Sequence, residues 1–326
     1  MKLVSIVIPT FNNATVIAET INSICSQHYN EWEAIFVDDG STDSTCEIIN
    51  SFSRKDSRIK LIKRVTLPKG GSHCRNIGLA TACGDYIIFL DGDDKLAPEC
   101  LEKRISIIEN STYDFCVFPM AIFQYNQVFN KRMEDRFIKD YKSAFASVHS
   151  VWQVSQPIYK VDFVKALNGF DEGFLRLQDI EFGLRAVIHS KGNFKTFFEL
   201  SPDSFYRLSN SMVTAQKYNL ALSQYANFIN LLLRLYIEGE FTSRVKFSRI
   251  LLCLLMSANL VYLAPVKMGE TPGVNISDII GLVDFDKYIC KRHKYLLKFL
   301  LLFYKTPKFQ DKLLWFIRRT FIFCFF

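Results

Sequence analysis

Apolar and polar positions along the first 118 residues alternate between two periods. "LVSIVIP" is apolar and β-branched and stops at Pro9, the pattern of a strand. Val16, Ile17, Ile21 and Ile24 then recur at helical spacing and predict a helix over about 14–27. "EAIFVDDG" predicts a second strand, after which Asp43 and Ser44 can cap a helix running to about Phe52. "RIKLIKR" is a third strand, and "GGSHCRNIGLATACG" a glycine-rich start followed by a helix that stops at Gly84. "DYIIFL" is a fourth strand, with a helix from about Pro98 to Glu109, and "YDFCVFPM" is a fifth. Strands separated by helices of this length predict an α/β fold, a mainly parallel central sheet flanked by helices.

Beyond this the periods weaken. Residues 119–155 are aromatic and charged, and predict a loop or helix lying over the sheet. "QPIYK" is a short strand candidate, "VDFVKALNGF" a helix ending at Gly169, and another helix starts near Gln178 and runs to about His189. From Met212 onward the pattern is helical, which divides the chain into 1–211 and a helical C-terminal extension, 212–326. "ILLCLLMSANLVYLAPV" is mostly apolar but interrupted by Ser257 and Asn259. It falls short of the ~20 residues that span a bilayer, and predicts a buried or interfacial helix.

Composition adds a location for the charge. The chain has 326 residues, 49% of them apolar, enough for one large α/β domain with an appendage. Net charge is +7, yet residues 291–326 carry nine Lys and Arg against one acid, Asp311, so the remainder is near neutral. A basic tail rich in aromatic residues suits an anionic membrane surface. No zinc-finger spacing or RNA-binding aromatic signature accompanies it, so nucleic acid is not an expected partner. Nine cysteines, an odd number with no CxxC pair, read as reduced thiols of a cytosolic compartment. The short N-terminal apolar run lacks a small-residue cleavage site and is not expected to be a signal peptide.

The candidate chemistry lies where strands end. In an open parallel sheet, ligands bind at the carboxyl ends of the strands. Three polar clusters fall there: Pro9-Thr10-Phe11-Asn12-Asn13, Asp38-Asp39-Gly40-Ser41-Thr42-Asp43, and Asp91-Gly92-Asp93-Asp94. Neither GxGxxG after the first strand nor GxxxxGK[ST] is present, so no glycine-rich loop is available to cradle phosphates. Clustered carboxylates point instead to a divalent cation, Mg²⁺ or Mn²⁺, held by one or two acids together with substrate phosphates. Taken singly, "VDDGSTD" is also a turn with a helix cap and "LDGDD" a solvated loop.

In their order and spacing, "VSIVIPTFNN", "FVDDGSTDST", "CRNIGLATACGDYIIFLDGDD" and "LQDIEFGLRA" resemble the family 2 glycosyltransferases of GT-A fold, over about residues 1–210. The resemblance implies an inverting enzyme that moves a sugar from a nucleotide-diphosphate sugar, UDP-sugar favoured, to a carbohydrate or lipid-linked saccharide acceptor, as in surface-polysaccharide synthesis. It implies that Pro9, Thr10 and Phe11 line the base and ribose pocket, and that Asp38 and Asp39 contact base or ribose. Arg75 would flank the nucleotide. Asp91 and Asp93, or Asp93 with Asp94, would bind ribose and diphosphate partly through the metal, and Asp179 would be the catalytic base. The expected location is cytoplasmic, peripheral on the inner face of the cell membrane.

Two positions depart from that pattern: Gln178 stands where the family often has Glu, and Ser209 where it often has a metal-side His. Arg207 fits either a diphosphate partner or an ordinary ion pair. His73 and His149 read as structural. Trp152 and the aromatic residues between 118 and 129 read as core or acceptor-pocket wall. A sugar-1-phosphate nucleotidyltransferase and an inactive scaffold of the same fold are the alternatives; the first usually opens with a glycine-rich basic loop, which is missing here.

Overall fold

The computed structural model describes residues 1–64, 67, 69–124, 127–132, 138–208, 215–267, 276–291 and 293. The chain opens with β1 (Val4–Thr10), α1 (Ile17–Cys25), β2 (Trp32–Asp38), α2 (Thr45–Ser53), β3 (Ile59–Lys63), α3 (Gly71–Thr81) and β4 (Tyr86–Phe89). It continues through β5 (Lys95–Leu96), α4 (Cys100–Ile108), β6 (Phe115–Val117), β7 (Met120–Gln124), β8 (Gln127–Arg132), α5 (Tyr141–Ala146), β9 (Pro157–Lys160) and α6 (Val161–Ala166). Then come α7 (Gln178–His189), β10 (Phe194–Thr196), β11 (Ser204–Arg207), α8 (Ala215–Ile237), α9 (Arg244–Lys267), α10 (Ile276–Gly281) and α11 (Phe285–Tyr288).

Among the described residues the chain packs as two compact units. One is drawn from Met1–Arg136, Val151–Glu172 and Arg185–Asn210, the other from Phe137–Ser150, Gly173–Leu184 and Ser211–Phe326.

The first unit is the sheet domain. Its seven-stranded sheet runs β10-β6-β9-β4-β1-β2-β3. β4, β1, β2 and β3 are mutually parallel, β10 is parallel to β6, and β9 is antiparallel to both its neighbours. β1 and β2 are buried nearly throughout, which explains their continuous apolar runs: a strand covered on both faces has no polar alternation. The face of α1 predicted from spacing is the one that packs, with Ile17, Ile21 and Ile24 fully buried. On the opposite side, α3 lies so close to β1 that a Cβ at Gly78 would fall 2.2 Å from Val7 Cγ1.

A second sheet, β5-β11-β7-β8, was not expected. It occupies part of 119–155, where a loop or helix was predicted. "YDFCVFPM" is also two strands rather than one. β6 ends at Val117, Phe118 and Pro119 turn the chain, and β7 begins at Met120 in the other sheet. Phe118, Phe123 and Trp152 are buried, so these aromatics serve as core.

The second unit is mainly helical. Its two inner segments, 137–150 and 173–184, cluster with residues beyond 211 and not with the sheets, which differs from a single boundary at 211. The reason is side-chain contact. Phe174 packs edge-on to Phe228 with centroids 6.2 Å apart, Leu175 N–H donates to Gln224, and Asp140 is ion-paired with Lys246. The long apolar run lies in α9, where Ile250, Leu251, Leu252, Leu254 and Leu255 are buried. No helix among the described residues is long and apolar enough to cross a membrane. The tail 294–326 and Ser209 lie outside the described residues.

Candidate active site

The parallel register places the polar clusters side by side. Thr10 at the end of β1 pairs with Asp38 at the end of β2, and Val7 pairs with Phe89 on the other side of β1, so Asp91 follows on the same edge. Thr10, Asp38, Asp39, Arg75, Asp91, Asp93 and Asp94 all belong to the first unit.

Side chains from one loop satisfy the backbone of the next. Asn12 sits at φ 51°, a left-handed conformation that Asn tolerates. From there Asn12 N–H donates to Ser41 Oγ, and Thr42 N–H donates to Asn12 Oδ1, both at 2.9 Å. Asn13 N–H donates to Thr45 Oγ1, and Ala14 N–H donates to Asp43. Asp43, predicted as a helix cap, thus also joins the two loops. Phe11 remains 49% exposed, with Lys69 Nζ 4.8 Å from its ring centroid. Thr10 Oγ1 is buried and has no hydrogen-bond partner among the described residues.

The two acids after β2 have distinct surroundings. Asp38 is buried and accepts hydrogen bonds from Gly40 N–H, Ser41 N–H and the Ser41 hydroxyl, so its carboxylate shapes the loop, with Gly40 at φ +83°. Asp39 pairs with Arg64 and accepts from Gly70 N–H at 2.8 Å, which ties the end of β2 to the start of α3.

The acid loop after β4 is held from several directions. Gly92 sits in a tight approach: a Cβ there would lie 3.0 Å from Pro9 O and 3.2 Å from Asn13 Oδ1. Buried Thr20 of α1 donates its hydroxyl towards both Gly92 O (3.1 Å) and Asp94 O (2.8 Å). Arg75 Nη2 donates to Asp91 Oδ1 at 2.6 Å and its guanidinium lies over Phe170. Burial, and then the neighbouring Asp91 charge, raises the Asp93 carboxyl above its ordinary value. Asp94 is 1% exposed; Oδ1 accepts from Arg207 N–H at 2.9 Å and Oδ2 faces the Ser155 hydroxyl at 3.4 Å. Burial first, then Asp91 and Asp93, pushes the Asp94 carboxyl well above the carboxylate range.

A hard divalent cation fits this donor set. Asp91 and Asp93 would offer it carboxylate oxygens, and a cation would relieve the repulsion by which the Asp91 charge raises the Asp93 carboxyl. The described residues contain no cluster of three or more His, Cys, Asp or Glu that would form an all-protein cage. A Mg²⁺-type ion would therefore need substrate phosphates and water to complete its coordination here.

Asp179 stands at the start of α7, partly exposed, in the second unit, two residues after Leu177 at φ 61°. His73 pairs with Glu172 at 2.6 Å, in keeping with a structural role. Eight described cysteines are free thiols. Contributors to the loops that were not identified from the sequence include Arg64, Lys69, Thr20 and Ser155. Arg64 follows a parallel strand and is found by extending the strand-end rule to β3. Thr20 interrupts the apolar face of α1, a polar residue where Ile17 and Ile21 predict burial.

Residues 5–163 match the model of glycosyl transferase family 2. Among curated relatives, UDP-Glc:alpha-D-GlcNAc-diphosphoundecaprenol beta-1,3-glucosyltransferase WfgD of Escherichia coli is 36% identical over 129 residues, 40% of this chain and 50% of that protein. The chain spans about half the length of the curated relatives it matches. Among solved structures, S. aureus TarS 1-349 in complex with UDP-GlcNAc superposes with TM-score 0.61 at 18% identity, covering 91% of this chain and 84% of that one. Mannosyltransferase PcManGT from Pyrobaculum calidifontis, in complex with GDP-Man and Mn²⁺, superposes with TM-score 0.53 at 15% identity, covering 91% and 83%. At these identities the two structures establish the GT-A fold.

Proposed function

We propose that the protein is an inverting glycosyltransferase that moves a sugar from a nucleotide-diphosphate sugar, a UDP-sugar by preference, to the hydroxyl of a carbohydrate or lipid-linked saccharide. The observation that carries this reading is the edge formed by Thr10, Asp39, Arg75, Asp91 and Asp93, built without a glycine-rich phosphate loop in a family 2 domain. The family match does not favour a sugar-1-phosphate nucleotidyltransferase.

In this reading Phe11 and Lys69 border the base, and Asp39, held by Arg64, faces base or ribose. Asp38 acts from beneath by fixing the loop. Asp91 and Asp93 hold Mg²⁺ or Mn²⁺, which when bound offsets the charge that builds on the departing diphosphate. Arg75 orients Asp91 and keeps one positive charge beside it. Asp94 is assigned to the frame, because its oxygens already face Arg207 and Ser155. Asp179 is assigned the role of base: an acceptor hydroxyl ionises far above neutral pH and has to lose its proton as it attacks. Attack opposite the leaving group inverts the anomeric carbon with no covalent intermediate.

The relative's polyprenyl-linked acceptor motivates a lipid-linked saccharide here, and the basic tail motivates a peripheral position on the cytoplasmic membrane face. A screen of UDP- and GDP-sugars with Mn²⁺, scored by release of nucleoside diphosphate with and without lipid-linked saccharides, tests the reading. Donor-selective turnover stimulated by an acceptor is expected; turnover of no sugar nucleotide in the presence of acceptor would refute it.

A further inference from the structure

β11 carries Arg207 to the acid loop, and the geometry there goes beyond an ordinary ion pair. Arg207 N–H donates to Asp94 Oδ1 at 2.9 Å. Its Nε donates to the backbone carbonyl of Asp93 at 2.7 Å, and its Nη2 donates to Glu19 Oε2 at 3.0 Å. The guanidinium also stacks 4.5 Å from the Phe123 ring centroid. Glu19 is shared: Lys95 donates to the same oxygen at 3.1 Å. Burial works against the Glu19 charge, but the hydrogen bonds from Arg207 and Lys95 outweigh it and hold the carboxyl below its ordinary value.

These contacts complete a pattern begun by Thr20. The carbonyls of Gly92 and Asp94 are taken by the Thr20 hydroxyl and that of Asp93 by Arg207. Three successive carbonyls of the acid loop are therefore met by side chains, those of Gly92 and Asp94 sharing the one Thr20 hydroxyl proton and that of Asp93 taking Arg207 Nε–H. Nε and one N–H of Nη2 are committed to the protein, and Glu19 fixes the direction of the guanidinium plane.

We propose that Glu19 and Arg207 are positioning residues for the Asp91–Asp93 pair. Arg207 holds the backbone at Asp93 so that its carboxylate meets the cation and diphosphate, and Glu19 holds Arg207. This rests on the reading that the acid loop binds a divalent cation with a nucleoside diphosphate. Groups that orient metal ligands without touching the metal typically govern about 10- to 100-fold in its affinity.

The test is calorimetric titration of UDP at stepped Mn²⁺ concentrations, giving the Mn²⁺ level for half-maximal UDP binding, in full-length wild type, Glu19→Gln, Arg207→Met and the double variant. The Glu19 side chain is 43% exposed, so Glu19→Gln serves if Arg207→Met fails to fold. Each single variant is expected to raise the Mn²⁺ requirement about 10-fold or more. The double variant is expected to be no worse than the more severe single, because both act through one contact. Arg207 as a direct diphosphate ligand predicts otherwise: Arg207→Met would weaken UDP binding at saturating Mn²⁺, and Glu19→Gln would leave the Mn²⁺ requirement unchanged. A wild-type Mn²⁺ requirement in Glu19→Gln overturns the positioning inference alone. A wild type that binds no UDP at any Mn²⁺ concentration overturns the functional reading and this inference with it.

Discussion

Arg104→Met is expected to be among the most damaging single substitutions in the sheet domain. Arg104 of α4 and Asp203, just before β11, are both 0% exposed. The guanidinium donates to both Asp203 oxygens, at 3.1 and 2.6 Å, and to Ser155 O at 3.0 Å, with Ser204 Oγ at 3.3 Å. Removing it leaves a carboxylate with no countercharge in a site without water access, which costs about 3–5 kcal/mol. For a unit of this size that is a fall in Tm of roughly 6–20 °C. Replacing both partners by apolar residues, Arg104→Met with Asp203→Leu, removes the stranded charge. The Ser155 carbonyl, the Ser204 hydroxyl and the Cys100 thiol then lose a partner, so the double variant is expected about 1–3 kcal/mol below wild type. Differential scanning calorimetry of the three proteins checks this. A single variant melting within about 2 °C of wild type, or a double variant as unstable as the single, would refute the reasoning.

Three further outcomes are expected. Glu33 accepts from Ser5 Oγ, Cys83 N–H and Lys60, and although burial opposes its charge these donors hold its carboxyl below the ordinary 4.5. Its contribution is present at neutral pH and lost as pH falls through the lowered folded value. Glu33→Gln is therefore expected to destabilise by about 1–3 kcal/mol at neutral pH, with a Tm gap to wild type that closes on acidification; a gap independent of pH would refute the assignment. Asp179→Asn keeps the shape and removes the base, so kcat is expected to fall about 100-fold or more with donor affinity little changed; near-normal kcat would mean that the base lies elsewhere. Full-length protein is expected to float with anionic vesicles at low salt and to be released at high salt, whereas a chain ending near Asp286 stays unbound; absence of flotation would assign the tail to packing or oligomer contacts.

Local pattern made the sheet domain legible and lost its way where structure is set by distant partners. Ile17, Ile21 and Ile24 declare the buried face of α1, whereas the helix expected to end at Gly169 stops at Ala166, and Gly169, at φ +65°, lies in the turn beyond it. The second sheet left little trace. β5 is two residues long, and β11 follows from pairing with β5 and β7 rather than from its own alternation. The strand-end rule found Asp38, Asp39, Asp91, Asp93 and Asp94, but their different burial was invisible. Asp94 looks like Asp93 in "DGDD" until Arg207, more than a hundred residues later, donates to it. The inner segments 137–150 and 173–184 were likewise assigned by proximity in sequence, whereas Asp140 meets Lys246 and Phe174 meets Phe228.

The central claim is that the acid loop after β4 binds a sugar nucleotide through Asp93 and a divalent cation. Equilibrium dialysis of labelled UDP-sugars against wild type and Asp93→Ala, in Mn²⁺ and in EDTA, addresses it most directly. Saturable binding to wild type in Mn²⁺ is predicted, with loss in EDTA and in Asp93→Ala while the variant's Tm stays near that of wild type. Equal binding in Mn²⁺ and EDTA, or undiminished binding to Asp93→Ala, would contradict it.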